Sequence, residues 1–117
     1  MREAVAVLDR MEGIRFELHG GFTSPPKPLE GRSASLMDLV RRCGREMGLE
    51  LAVRDTGGAS DANRLAAREL AVVDSMGPCG GGLHSPEEFA LVSSFPQRAE
   101  LAARTLSRIA VGTWEWA

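Results

Sequence analysis

The sequence predicts an α/β fold, in which a helix and a strand precede a partial βαβα sheet flanked by helices. From residue 35 onward, apolar segments of strand length alternate with segments of helical periodicity. Each predicted strand of this part is followed by a glycine loop and a helix start signal. Because loops that follow parallel strands gather at one sheet edge, the loops at residues 57–58 and 77–82 are expected to line one crevice.

Length, composition and charge exclude several classes of protein. The chain has 117 residues, 44% hydrophobic and 26% charged, as expected for one globular domain with a substantial core. A net charge of -2 gives no sign of the clustered basic residues that bind nucleic acid. No apolar run approaches the roughly 20 residues that span a bilayer, and no secretion leader is apparent. Cys43 and Cys79 lack metal or redox spacing and are interpreted as small apolar side chains. A cytoplasmic protein without membrane or nucleic-acid partners is expected.

The N-terminal segment is predicted to form a helix, a strand and a crossover. Apolar residues at helical spacing open the chain, and Gly13 follows as a stop signal. Residues 14–18 alternate apolar and polar side chains, which predicts a strand, with His19 on its exposed polar face. Prolines and glycines in residues 23–34 then predict an irregular crossover.

The segment after the crossover is predicted to alternate helices and strands. Ser35 and Asp38 resemble a capping box that starts a helix, and Gly48 ends it. The apolar stripe of this helix consists of Leu36, Leu39, Val40, Cys43 and Met47. Strands are predicted over residues 49–55 and 70–76.

Two further helix starts are predicted near the glycine loops. Between the two strands, Ser60 or Asp61 is the predicted N-cap of a helix that ends near residue 70. Ser85, followed by Pro86 and two glutamates, has the pattern of another helix entrance, which explains Glu88 as a cap rather than as an acid/base group. A last helix is predicted from residue 94 to about residue 112.

Two loop features have both a chemical and an ordinary interpretation. Gly57 and Gly58, before a helix N-terminus, offer N–H groups to an anion, although the segment matches no known phosphate motif and also suits a tight turn. His84 follows three glycines, Gly80, Gly81 and Gly82, and neutral imidazole is a common zinc ligand. A single histidine near a helix start is more often a surface or hydrogen-bonded residue. From the residues alone, both alternatives stay open.

Together, "EMGLELAVRDTGGASDAN" and "VVDSMGPCGGGLHSPEEF" resemble the C-terminal part of the di-zinc aminoacylase and glutamate carboxypeptidase family of metallopeptidases. The resemblance implies that residues 1–22 are a remnant of a lid or dimerisation domain. Residues 23–34 are then the crossover, and residues 35–117 the closing part of the catalytic domain. It also implies an activity on amide bonds next to a carboxylate, with two zinc ions.

On this resemblance, His84 corresponds to a metal ligand, Gly57, Gly58 and Ser60 to the loop beside the substrate carboxylate, and Gly80, Gly81 and Gly82 to a structural loop. The family's other metal ligands and its catalytic glutamate fall in an N-terminal half that has no counterpart in this sequence. No catalytic residue is therefore assigned, and this chain alone is expected to hold no complete zinc site, because catalytic zinc needs three or more protein ligands.

Three functional hypotheses follow from the resemblance. The chain is a fragment of a zinc amidohydrolase that is inactive alone, or a non-catalytic binding or oligomerisation module that associates with itself. A third hypothesis is that a separate polypeptide supplies the missing half and completes the enzyme.

Overall fold

The computed structural model describes residues 2–8 and 10–116. Within them lie four helices and one antiparallel pair of short strands. In chain order the elements are α1 (Arg2–Leu8), α2 (Gly31–Glu46), α3 (Asp61–Ala66), β1 (Gly80–Gly81), β2 (Phe89–Ala90) and α4 (Ser94–Ala110). This mixture agrees with the predicted partial α/β class. Met1 and Ala117, the outer limits of the predicted units, lie outside the described residues.

The helix predictions are largely confirmed, with shifted boundaries. Helix α2 begins at Gly31, four residues before the predicted Ser35, because Ser33 and Ser35 are buried inside the helix instead of capping it. The Ser33 hydroxyl accepts a hydrogen bond from the Val72 N–H at 3.1 Å, a contact that requires Ser33 to face the protein. After α2, Gly48 adopts a φ of 72°, which is the left-handed conformation expected of a residue that ends a helix.

Packing of α2 against α4 forms the core. The fully or nearly buried apolar side chains are Met37, Leu39, Val40, Cys43 and Leu101. The predicted stripe of α2 thus faces the core, and Cys43 has the predicted role of a small apolar side chain. At the end of the helix pair, Arg108 donates to the Glu46 carboxylate at 2.7 Å, and this contact raises the pKa of Arg108.

The prediction of strands in three segments is wrong. Residues 14–18, 49–55 and 70–76 lie outside any sheet, and the strands form instead at residues 80–81 and 89–90. Apolar alternation indicates which residues prefer a sheet, but a strand also needs a neighbour that pairs with its backbone N–H and C=O groups. Within the described residues, these segments find no such neighbour.

The chain is extended for its length. Its radius of gyration is 20.1 Å, whereas a compact domain of this length has about 13 Å. Its accessible surface is 9496 Å², against about 6,200 Å² for a folded monomer of this mass. The substantial core expected from the length is therefore not formed by this chain alone. No helix within the described residues is long and apolar enough to cross a membrane.

Candidate functional site

His84 lies in a turn between two short strands, not at the start of a helix. Strands β1 and β2 pair Gly80 with Ala90 and Gly81 with Phe89, and residues 82–88 form the connection. The predicted helix at residue 86 is therefore wrong. Two hydrogen bonds of Ser85 close the turn: its Oγ accepts from the Glu87 N–H at 3.2 Å, as an N-cap would, and donates to the Gly82 carbonyl at 2.8 Å.

Glycine is required at two of the three positions before His84. A Cβ at position 80 would overlap the Phe89 carbonyl oxygen across the strand pair. Position 82 has a φ of 66°, and a Cβ there would lie 2.7 Å from the Glu87 carbonyl oxygen. At position 81 a Cβ would meet only the Phe89 ring, a side chain that can move. The glycine run thus allows the close backbone approach that shapes this turn.

The backbone conformation of His84 places its side chain in solvent. His84 has a φ of 64°, which is uncommon for a residue other than glycine, and its N–H donates to the Glu88 carboxylate at 3.2 Å. Glu88 therefore fixes the turn and does not cap a helix. Within the described part of the chain the His84 ring makes no hydrogen bond, and the residue is exposed. One nitrogen of the neutral ring can therefore donate a hydrogen bond to a further partner, and the other can accept one or bind a metal ion.

The loop before α3 is built around Ser60. Its hydroxyl accepts from the Ala62 N–H at 3.2 Å, and its own N–H donates to Asn63 Oδ1 at 3.0 Å, forming a capping box. Ser60 is thus the N-cap, one of the two predicted alternatives. The helix ends at Ala66 and is shorter than predicted.

No contact within the described residues requires glycine at positions 57 and 58. Neither has a positive φ, and a Cβ on either would meet open space. Their N–H groups donate no hydrogen bond within the part of the chain that the structure describes. They are free to contact an external group.

Asp74 is a residue of this region that the sequence analysis did not single out. It accepts hydrogen bonds from the Ser60 hydroxyl and the Ser75 N–H, and Lys27 Nζ lies 3.7 Å away. These contacts, with the Ser60 bond the largest cause, hold the pKa of the Asp74 carboxyl below its ordinary value. Its position directly after the apolar segment 70–73 could have identified it as a site residue, because polar residues at strand ends commonly line binding sites.

The predicted site residues lie in two separate places. No hydrogen bond or ion pair joins residues 57–63 to residues 80–90 within the described chain, and α3 does not contact β1 or β2. The expected shared crevice therefore does not form through direct contacts, since the strands that would place both loops at one edge are unpaired. A cavity of about 630 Å³ lies elsewhere, between α2 and residues 113–115.

The described residues do not fit a complete metal centre. No group of three or more His, Cys, Asp or Glu side chains converges anywhere in residues 2–8 and 10–116. One histidine leaves a zinc ion without the three protein ligands that catalytic sites use. The arrangement provides one exposed imidazole, and further ligands would have to come from elsewhere.

Comparison with known proteins identifies a family. No curated protein and no solved structure matches the chain. The model of a peptidase family, "Peptidase family M20/M25/M40", matches residues 9–108. Because this match covers far more than half of the sequence, the chain belongs to peptidase family M20/M25/M40.

Proposed function

We propose that the chain is the C-terminal part of a zinc-dependent peptidase or amidohydrolase of the aminoacylase and glutamate carboxypeptidase type. Residues 35–117 belong to the catalytic domain in this proposal, residues 1–22 to a lid or dimerisation domain, and residues 23–34 connect them. The substrate is a small amide with a neighbouring carboxylate. The family match over residues 9–108 carries the proposal, because it covers both glycine loops and His84.

His84 is the proposed zinc ligand contributed by this chain. Its exposed ring has no hydrogen-bond partner within the described residues, and Glu88 holds the backbone that presents it. Since one ligand is insufficient, the chain is inactive by itself and the remaining ligands come from another polypeptide segment. The proposed location is the cytoplasm, where thiols are kept reduced, and this suits the free thiols of Cys43 and Cys79.

The extended surface supports a requirement for a partner. The accessible area exceeds that of a compact monomer by about 3,300 Å², while stable interfaces bury about 1,200–2,000 Å². Residues 49–55 and 70–76, which pair with no strand among the described residues, suit a partner that supplies β-strands. We infer that this partner is the N-terminal half of the catalytic domain, on the same or a separate polypeptide.

Zinc calorimetry and an activity assay test the incomplete site. We expect the isolated chain to bind zinc no more tightly than the His84→Ala variant and to hydrolyse no N-acyl-amino acid. His19→Ala is the matched control, because His19 is also exposed and, among the described residues, its hydrogen-bond partner is its near neighbour Glu17. Tight zinc binding at a defined stoichiometry, or hydrolysis by the chain that is lost in His84→Ala, would contradict the proposal.

A second candidate function is a non-catalytic module that associates with itself. Exposed apolar side chains on α4 favour it, since Phe95 and Leu106 are 51% and 66% exposed. Sedimentation velocity at high concentration separates the candidates. A defined dimer with no effect of an added N-terminal half supports the module, whereas a monomer excludes it.

A further inference from the structure

Asp74 links the loop before α3 to the crossover segment. Its Oδ2 accepts from the Ser60 hydroxyl and faces the Lys27 ammonium group at 3.7 Å, and its Oδ1 accepts from the Ser75 N–H at 2.7 Å. The Ser75 backbone adopts a φ of 59° beside this bond. Lys27 is the ionisable group that faces the carboxylate. Both carboxylate oxygens are thus occupied by donors of the protein.

Ser60 has no proton left for a ligand. A hydroxyl carries one O–H, and that proton goes to Asp74, while the oxygen accepts from the Ala62 N–H. Asn63, whose side chain accepts from the Ser60 N–H, donates to the Pro25 carbonyl at 2.9 Å. The loop is consequently fixed to the crossover by two contacts, one through Asn63 and one through Asp74.

The negative charge of Asp74 also disfavours binding of a ligand carboxylate at Ser60. Like charges at short distance repel, and Lys27 offsets this only in part because both side chains remain partly exposed, at 37% for Asp74 and 23% for Lys27. Gly57 and Gly58 lie three and two residues earlier and have N–H groups without acceptors in the described chain. The N–H groups of these glycines are therefore better hydrogen-bond donors for an anionic ligand than Ser60 is.

We propose that Asp74 is a positioning residue that fixes Ser60, and through it directs the Gly57 and Gly58 N–H groups toward the substrate carboxylate. Ser60 is then a structural member of the loop and not itself a ligand contact. The substrate part of this inference rests on the proposed function. The Asp74–Ser60 linkage is a property of the chain alone and can be measured without metal or activity.

NMR of the intact chain tests the linkage. Between pH 2 and pH 6, the amide shift of Ala62 should titrate with the same midpoint as the Asp74 carboxyl, because the Ser60 hydroxyl joins the two. Ser60→Ala should abolish the Ala62 response. Amide exchange at Ala62 should become about tenfold faster in Asp74→Ala. Asp55→Ala, which removes an exposed carboxylate before the same loop, should change it less than about twofold.

Independent midpoints for Ala62 and Asp74, or unchanged exchange in Asp74→Ala, would overturn the positioning role. If Asp74→Ala does not fold, the titration of the unmodified chain decides. Addition of N-acetylalanine should shift the Gly57 and Gly58 amides. Coupled titration without these ligand shifts supports the positioning role and counts against the proposed substrate. Ligand shifts without coupled titration support the proposed substrate and count against the positioning role.

Discussion

At the scale of single residues, backbone conformation determines what the candidate site offers. His84 and Gly82 both have positive φ, and the turn they form is closed by Ser85 and Glu88. Residues 85–88 satisfy the sequence rules for a helix entrance. Ser85 accepts from the N–H two residues on, as an N-cap would, but the Glu88 carboxylate accepts from the His84 N–H, and no helix begins at residue 86. Helix caps and tight turns use the same donors and acceptors.

Gly82→Ala should destabilise the turn by about 1–3 kcal/mol, because alanine at a φ of 66° is strained and its Cβ would meet the Glu87 carbonyl. Gly77→Ala is the control, since a Cβ there meets open space and no positive φ is involved. Amide exchange at β1 and β2 measures the effect locally. Equal exchange in the two variants would contradict the structure of the turn.

Acid should release the Asp74 contacts. The lowered pKa of Asp74 means that its interactions stabilise the folded chain fully above the ordinary aspartate pKa of about 3.9. That stabilisation is lost as the pH falls through the lower folded value. Urea unfolding from pH 5 to pH 2 should show a smaller loss of stability in Asp74→Asn than in the unmodified chain. The same pH dependence in both would contradict this assignment.

At the scale of elements, α2 and α4 form the part of the fold that the sequence predicted best. The predicted apolar stripe of α2 repeats at helical spacing, and such a stripe needs only one neighbouring helix to be buried. The three predicted strands failed for the opposite reason. The alternation at residues 14–18, the segment 49–55 and the apolar run at 70–76 indicate a preference for a sheet. Their pairing partners are not among the described residues. Prediction of the site had the same limit. Ser60 was predicted as a cap from its neighbours, whereas Asp74 was not predicted as a site residue because its contacts with Ser60 and Lys27 are distant in sequence.

Leu101→Ala should cost about 2–5 kcal/mol, since Leu101 is completely buried between α4 and α2. Leu106→Ala, on the same helix but 66% exposed, should change the free energy of unfolding by less than about 0.5 kcal/mol. Urea denaturation followed by far-UV circular dichroism gives both values. Similar losses in the two variants would mean that α4 packs through a different face.

At the scale of the whole molecule, the chain has a small core and a large surface, and its described residues bring together no complete metal site. These features have a common explanation if a second segment pairs with residues 49–55 and 70–76 and brings the missing ligands close to His84. The two glycine loops would then meet at one sheet edge, as the sequence analysis expected. The family membership shown for residues 9–108 is consistent with such a completed catalytic domain.

Reconstitution with the N-terminal half of an M20 family enzyme is the most direct test of this central claim. Mixed with that half and zinc, the chain should hydrolyse an N-acyl-amino acid, and neither half should do so alone. Activity should fall by at least about 100-fold in His84→Ala and stay within about twofold in His19→Ala. Reconstituted activity that does not depend on His84 would contradict the claim.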